Sequence, residues 1–311
     1  MPGHEMTEHR ADVAEDADDA TTSPPPAPVD SAYDDVAYRS AGVVIERYST
    51  SFGWACRLLG PDVREHVRAV YALVRVADEI VDDMAAPLTV DERAALLDDL
   101  EREVDAAVRR GRSTNLVVHA FAVTARRYGI GADLTAPFFA SMRTDLTVTE
   151  HDPDSFARYV HGSAEVVGLM CLRVFTGGDD AAYARLAPGA ARLGAAFQKV
   201  NFLRDLADDL DDRGRAYFPG YDDDFDDAVR DRLLDDIDAD LATASAAIAE
   251  LPRSSRVAVR VAHDLFAELS SRLRATPAEE LRTRRVRVPD AVKGRLVLAA
   301  MVRERRKAAA A

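Results

Sequence analysis

Gln198-Lys-Val-Asn201-Phe-Leu-Arg204-Asp205-Leu-Ala-Asp-Asp209 lies two thirds of the way along a chain of 311 residues, and its polar side chains are arranged as no surface helix requires. At 100° per residue, Gln198, Asn201, Asp205 and Asp209 fall within an arc of about 80°. Leu193, Ala196, Phe197, Val200, Leu203, Leu206, Ala207 and Leu210 cover the opposite arc, and Phe202 flanks the stripe. A helix this apolar is buried, so its polar stripe must face something polar inside the protein.

A second stretch has the same design. From Val67 to Asp83, the residues Tyr71, Arg75, Asp78 and Asp82 lie within an arc of roughly 60°, with Val67, Val70, Leu73, Val74, Ala77, Ile80 and Val81 over the remainder. Asp78 and Asp82 are spaced i, i+4, as are Asp205 and Asp209, so each helix offers two carboxylates one turn apart. Such pairs are common on solvated faces in a chain with 54 acidic residues. Two pairs that each continue a polar stripe on an apolar helix, beside Arg75 and Arg204, point instead to four converging carboxylates. Glu79, Asp83 and Asp208 fall off the stripes and read as rim residues.

Two carboxylates about 6 Å apart repel by roughly 3 kcal/mol even at an effective dielectric near 20, so convergence calls for a cation. An all-oxygen set favours Mg²⁺ or Mn²⁺, and Mg²⁺ commonly completes its shell with water and substrate phosphate oxygens. No Cys or His accompanies the aspartates at ligand spacing, which disfavours zinc, and the Glu-x-x-His pairs of a di-iron bundle are missing. The expected ligands are Asp78, Asp82, Asp205 and Asp209.

The remainder of the chain reads as all-α. Ala, Leu, Arg, Asp and Glu dominate long stretches of 3.6-residue period, and alternation of period two is scarce. Helices are expected at about 36–57 with a break near Ser49 to Phe52, 64–83, 90–110, 114–128, 135–147, 153–175, 181–212, 226–249, 255–274 and 289–307. Residues 1–35 hold ten acids against Arg10 and a Thr-Thr-Ser-Pro-Pro-Pro-Ala-Pro run, the composition of a disordered tail ahead of one helical domain over 36–311. No segment is apolar enough for a secretory signal or a membrane span. Cys56 and Cys171 read as isolated reduced thiols, so the expected location is the cytoplasm. The net charge of −14 argues against nucleic acid. Arg282 to Lys307 nevertheless holds ten Lys or Arg against Asp290 and Glu304, either a solvated helix face or a basic contact surface.

The motifs resemble those of the squalene and phytoene synthases, which join two isoprenyl diphosphates head to head. Tyr71-Ala-Leu-Val-Arg75-Val-Ala-Asp78-Glu-Ile-Val-Asp82-Asp83 is similar to the family's first aspartate-rich motif, and Gln198-x-x-Asn201-x-x-Arg204-Asp205-x-x-x-Asp209 to its second. Ser49-Thr-Ser51-Phe52 resembles the N-terminal diphosphate-side segment, Arg213-Gly-Arg215-Ala-Tyr217-Phe218-Pro219 the segment after the second motif, and Arg285-Val-Arg-Val-Pro289 with Lys293 the C-terminal basic element.

The resemblance implies one large helical bundle of the isoprenoid synthase type with a central cavity, and a two-step reaction through a cyclopropyl diphosphate. It implies catalytic roles for Tyr71, Arg75 and the four aspartates, and substrate contacts at Ser49, Ser51, Phe52, Tyr159, Gln198, Asn201, Arg215, Arg285 and Lys293. Phe52, Tyr71, Phe197 and Phe202 are expected to wall the cavity. Small residues at 162, 163, 164 and 168 leave room either for a neighbouring helix or for a long ligand. Two positions depart from the family pattern, Glu165 where Gly is common and Phe266 where Tyr is common. Arg-Gly-Arg-x-Tyr-Phe-Pro resembles the bacterial phytoene synthases, which implies phytoene from two geranylgeranyl diphosphates. The alternatives are squalene, dehydrosqualene or presqualene diphosphate from farnesyl diphosphate, with NADPH required only for a squalene-type product. A non-catalytic assembly or lipid-binding relative would have no reason to keep all four aspartates. An apolar product also implies peripheral contact with the inner face of the membrane.

Overall fold

The computed structural model describes residues 31–48, 51–83, 85–206, 217–219 and 225–310, without the side chains of Ser51, Phe52 and residues 304–310. Residues 1–30, Ser49, Asp209 and Arg215 therefore lie outside the described residues. Thirteen α-helices are described: α1 Ala32–Tyr48, α2 Ser51–Arg57, α3 Pro61–Asp82, α4 Val90–Arg110, α5 Leu116–Tyr128, α6 Ala132–Thr144, α7 Pro153–Val160, α8 Val166–Phe175, α9 Asp180–Arg204, α10 Asp227–Glu250, α11 Arg253–Arg274, α12 Ala278–Leu281 and α13 Asp290–Ala310. A π-helical turn, His161–Glu165, joins α7 to α8, and no strand occurs among the described residues.

Local chemistry sets most of these boundaries. Thr89 and Glu92 form a capping box at the start of α4, and Gly111 ends that helix in the left-handed region at φ 79°. Asn115, Asp152, Asp179 and Asp226 each cap the helix that follows with a side-chain oxygen. The start of α1 corrects the expected tail boundary. The helix begins at Ala32, and Asp34 is buried with its Oδ1 accepting from His119 Nε2 at 2.6 Å. Burial alone would raise the Asp34 pKa, but bonds from Ser31 and His119 hold it below the ordinary carboxylate value. Asp34 looked like tail because its partner stands 85 residues away.

The helices pack into two large cores and two smaller apolar clusters. Helix α3 lies at the centre of the first, against α1, α2, α4, α5, α6, α8 and α11. Helix α9 organises the second with α10 and α11, and α8 packs against both α3 and α9. The small residues of the α7–α8 region meet neighbouring elements closely and also border a cavity. Gly162 presses on α6, where a Cβ would run into Ser141 Oγ and the Pro137 carbonyl, and Gly168 faces the Ala190 carbonyl, which a Cβ would meet at 2.8 Å. Ser163, Ala164 and Gly168 line that cavity.

Gly162→Ala should lower thermal stability by several degrees, because a carbonyl cannot rotate away as a side chain can and overpacking costs about 1–3 kcal/mol. Differential scanning calorimetry measures this, and an unchanged Tm would show that α6 and the π turn part freely.

Candidate active site

Helix α3 carries its stripe as expected. Arg75 Nη1 donates to Asp78 Oδ2 at 2.6 Å, Arg75 also pairs with Glu79, and its guanidinium lies 4.6 Å from the centre of the Tyr48 ring. Burial would lower the Arg75 pKa, but Asp78 and Glu79 raise it above the ordinary value. The Arg75 Nε is buried and has no partner. Asp78 and Asp82 are half-buried at the carboxyl end of the helix, whose last turn has no basic residue. The helix dipole there adds to their demand for a cation.

Helix α9 departs from expectation at its end. It closes at Arg204 instead of running to 212, with Asp205 as its C-cap at φ −99° and ψ 11°. The stacking expected of Asp205 and Asp209 presumed an unbroken helix, and the continuation to Asp209 is outside the described residues. Asp205 is gripped on both sides. Arg204 donates to it through Nε at 2.8 Å and also through Nη2, while Arg285 approaches Oδ1 with Nε at 2.7 Å and Oδ2 with Nη2 at 3.2 Å. Arg285 thus reaches the second motif from 80 residues away. Lys293 is held by Asp290 at 2.9 Å, within the first turn of α13.

Between α3 and α9 runs a cavity of about 290 Å³. Phe175, Leu186, Ile248 and Leu251 pack together where the lining stretch of α9 begins, and Gln198 and Asn201 form a polar end where it finishes, with Tyr71 also in the lining. The stretch of α9 from Leu186 to Asn201 lines it, which at 1.5 Å per residue is about 22 Å. Asp205 is the next turn of the same face. Cys56 and Cys171 are both free and both in the wall, where burial pushes their thiols up to about 11 and about 12.

Of the aromatic candidates, Tyr71 and Phe197 stand in the wall. Phe266 stacks behind Phe197 with centroids 3.9 Å apart, so the ring that replaces the family's Tyr supports the wall by packing. Phe202 is not in the wall. It points into the second core and stacks on Tyr217 at 4.0 Å, because its place at the edge of the stripe turns it toward α7. Tyr159 joins the same cluster, and its hydroxyl donates to Asp145 at 2.8 and 3.0 Å. Complete burial, with Asp145 adjacent, pushes its pKa well above the ordinary value. Tyr159 is therefore placed beside the polar end and outside the cavity lining. Leu206 and Tyr217, which flank the stretch holding Asp209 and Arg215, are both buried in this cluster. Glu165 pairs with His161 at 2.9 Å, and His161 is exposed.

Three supporting residues were not singled out in the sequence. Arg93 is 5% exposed and donates to the carbonyls of Ile80 and Asp83, each at 2.6 Å, and of Ala86 at 3.2 Å, closing the end of α3 beneath its aspartates. Its signal was an arginine on the apolar face of α4, in line with Leu97, Leu100 and Val104. Lys199 is buried and pairs with Asp240 at 2.8 Å and with Asp236. Burial would lower its pKa, but the two carboxylates raise it above the ordinary value and fix α9 against α10. Asp145, which holds Tyr159, gave no sequence signal.

Among the described residues no three His, Cys, Asp or Glu side chains gather closely enough to hold one metal ion. The donors present still suit a hard divalent cation. Asp78, Asp82 and Asp205 supply only oxygen, they sit at helix carboxyl ends, and guanidinium groups already supply Asp78 and Asp205 with the positive charge they require.

An all-helical bundle around an apolar cavity is the architecture of the isoprenoid synthase class. The family model described as squalene/phytoene synthase matches residues 45–291. The chain is 29% identical over 259 residues to the 15-cis-phytoene synthase of Paracoccus sp. (strain N81106 / MBIC 01143), covering 77% of this chain and 83% of that one. Its fold is similar to a crystal structure of a dehydrosqualene synthase, with TM-score 0.72, 19% identity, and 88% of this chain and 98% of the other covered. A squalene synthase from Alicyclobacillus acidocaldarius gives TM-score 0.68 at 19% identity, covering 78% and 94%. The chain belongs to the squalene/phytoene synthase family. It is an enzyme, a transferase of prenyl groups.

Arg93→Met should destabilise the fold by about 3 kcal/mol, since it strands buried carbonyls at the end of α3. Urea unfolding should show a lower midpoint at unchanged slope. A midpoint equal to the wild type would mean that water replaces the guanidinium there.

Proposed function

We propose that the enzyme condenses two geranylgeranyl diphosphates to phytoene through a cyclopropyl (prephytoene) diphosphate. The observation that carries this reading is the apolar cavity lined by about 22 Å of α9, with Asp205, held by Arg285, one turn beyond its lining residue Asn201, and Asp78, held by Arg75, one turn beyond its lining residue Val74 on α3. Similarity to phytoene synthases supports the product assignment.

Asp78, Asp82 and Asp205, with Asp209, would hold Mg²⁺ or Mn²⁺, which supplies charge neutralisation to a departing diphosphate. The protein's own groups do the remainder. The Arg75 and Arg285 guanidiniums, which hold Asp78 and Asp205, could each fork onto a phosphate oxygen pair. Gln198 and Asn201 are neutral hydrogen-bonding groups at the cavity's polar end, so they orient the substrate without adding repulsion.

Loss of the first diphosphate leaves an allylic cation. The double bond of the second substrate attacks it, and loss of a proton closes the cyclopropane. Loss of the second diphosphate, rearrangement and loss of another proton give phytoene with no reductant. The apolar wall keeps water from both cations, and the ring faces of Tyr71 and Phe197 offer them cation–π stabilisation. A squalene-type product would replace the last proton loss with hydride from NADPH.

Labelled geranylgeranyl or farnesyl diphosphate, supplied with Mg²⁺ and with or without NADPH, should give a C40 hydrocarbon from the longer substrate without the nucleotide. C30 product alone would overturn the assignment in favour of the farnesyl branch. Activity should vanish in EDTA and return with Mg²⁺ or Mn²⁺, and Asp78→Asn or Asp205→Asn should each lower kcat at least ~10²-fold. Full turnover in EDTA would remove the metal from the scheme.

We also propose that the enzyme works at the membrane surface. No helix among the described residues is long and apolar enough to cross a membrane. Helix α13 instead exposes Leu298, Met301 and Val302 beside Arg295 and Arg303, a mixed face suited to anionic lipid, where each cation contributes about 1 kcal/mol. Vesicles containing phosphatidylserine should pellet the enzyme at low salt and release it at high salt. Replacing Arg303, Arg305, Arg306 and Lys307 with Gln should weaken pelleting. Equal pelleting of the two proteins would mark these residues as a solvated face.

A further inference from the structure

The carboxylate of Asp205 offers about four lone-pair positions on its two oxygens. Two guanidinium forks, from Arg204 and Arg285, bring an N–H group to each oxygen twice. A cation could reach Asp205 only after one fork has moved. The two forks are not equally fixed. Arg204 sits in the last turn of α9, immediately before Asp205, and its side chain is 24% exposed. Arg285 comes from the irregular segment 284–289 between α12 and α13, and its side chain is 40% exposed. Moving Arg285 therefore disturbs no helix. Its guanidinium carries a charge and a flat pair of donors, which fit a phosphate as well as a carboxylate.

We propose that Arg285 is a surrogate for the metal. It neutralises Asp205 in the substrate-free enzyme, yields the carboxylate oxygens when a divalent cation enters, and then forks onto the diphosphate accompanying that cation. The proposal rests on the reading of Asp205 as a metal ligand. Metal alone binds weakly, since it must break two charge-assisted hydrogen bonds. Diphosphate alone also binds weakly, since the guanidinium it needs is engaged. Each ligand relieves the cost of the other, and by linkage the enhancement is the same in both directions.

The test uses Mn²⁺ as a spectroscopic probe and inorganic pyrophosphate as the second ligand, with the full-length chain. Free Mn²⁺ is counted by electron paramagnetic resonance as protein is titrated, with and without pyrophosphate. Wild type should bind Mn²⁺ weakly alone and markedly more tightly with pyrophosphate. Arg285→Met should bind Mn²⁺ alone about tenfold more tightly than wild type, the scale set by a lost charged competitor, and pyrophosphate should then enhance binding much less. Arg285→Lys, which keeps the charge but cannot fork, should fall between the two. Far-ultraviolet circular dichroism of each variant checks the fold.

Mn²⁺ affinity in Arg285→Met that equals or falls below wild type would overturn the surrogate role, provided Asp205→Asn still abolishes the metal binding. Unaltered Mn²⁺ binding in Asp205→Asn would overturn the metal reading of that residue, and the surrogate role with it.

Discussion

Negative charge gathers at the carboxyl ends of two helices, and each helix dipole adds to it. Asp78 and Asp82 close α3 with no basic residue in the last turn, while Asp205 caps α9. Repulsion among such groups grows as water is withdrawn, yet an apolar cavity opens between the same two helices. Guanidinium groups resolve the conflict. Arg75 covers Asp78, and Arg204 and Arg285 cover Asp205. Such pairs are strong but replaceable, which is what the proposed diphosphate and metal site requires.

The scaffold around this charge is correspondingly stiff. Arg93 ties off the carbonyls at the end of α3, and Lys199 locks α9 to α10 through Asp240 and Asp236. Both are buried charges with several partners, the condition under which a buried charge stabilises structure. Neither residue lines the cavity, so the helices beside it are held by buried charges that stand outside its wall.

Periodicity made one half of this legible in the sequence. The stripe from Tyr71 to Asp82 lies on one unbroken helix, as counting residues required, and α4 runs from Val90 to Arg110 as its 3.6-residue period indicated. The second motif was legible only as far as its helix is regular. Counting put Asp205 on the stripe, but the cap conformation at that residue comes from the end of α9 and its arginine partners. The same limit explains Phe202 and Tyr159. Period tells which way a residue faces on its own helix, whereas the stacking of Phe202 on Tyr217 and the bond from Tyr159 to Asp145 depend on neighbours brought in by the fold. Arg93 and Lys199 were visible as charges on apolar arcs, a pattern that becomes informative only once their partners are known.

One seam of the cavity wall is built from small residues on facing elements, Ala164 and Gly168 against Gly189, Ala190 and Gly194 of α9. A Cβ added at Gly168 would meet the Ala190 carbonyl at 2.8 Å, and one at Gly194 would run into the Ala164 carbonyl. Main chain therefore meets main chain along this seam, and a single substitution there can only push the elements apart or narrow the space. The rest of the lining carries larger side chains, among them Leu59, Val67, Val70, Val74 and Leu193, which substitution can shorten. Variation that widens the cavity is thus open on one side of the wall and closed on the other.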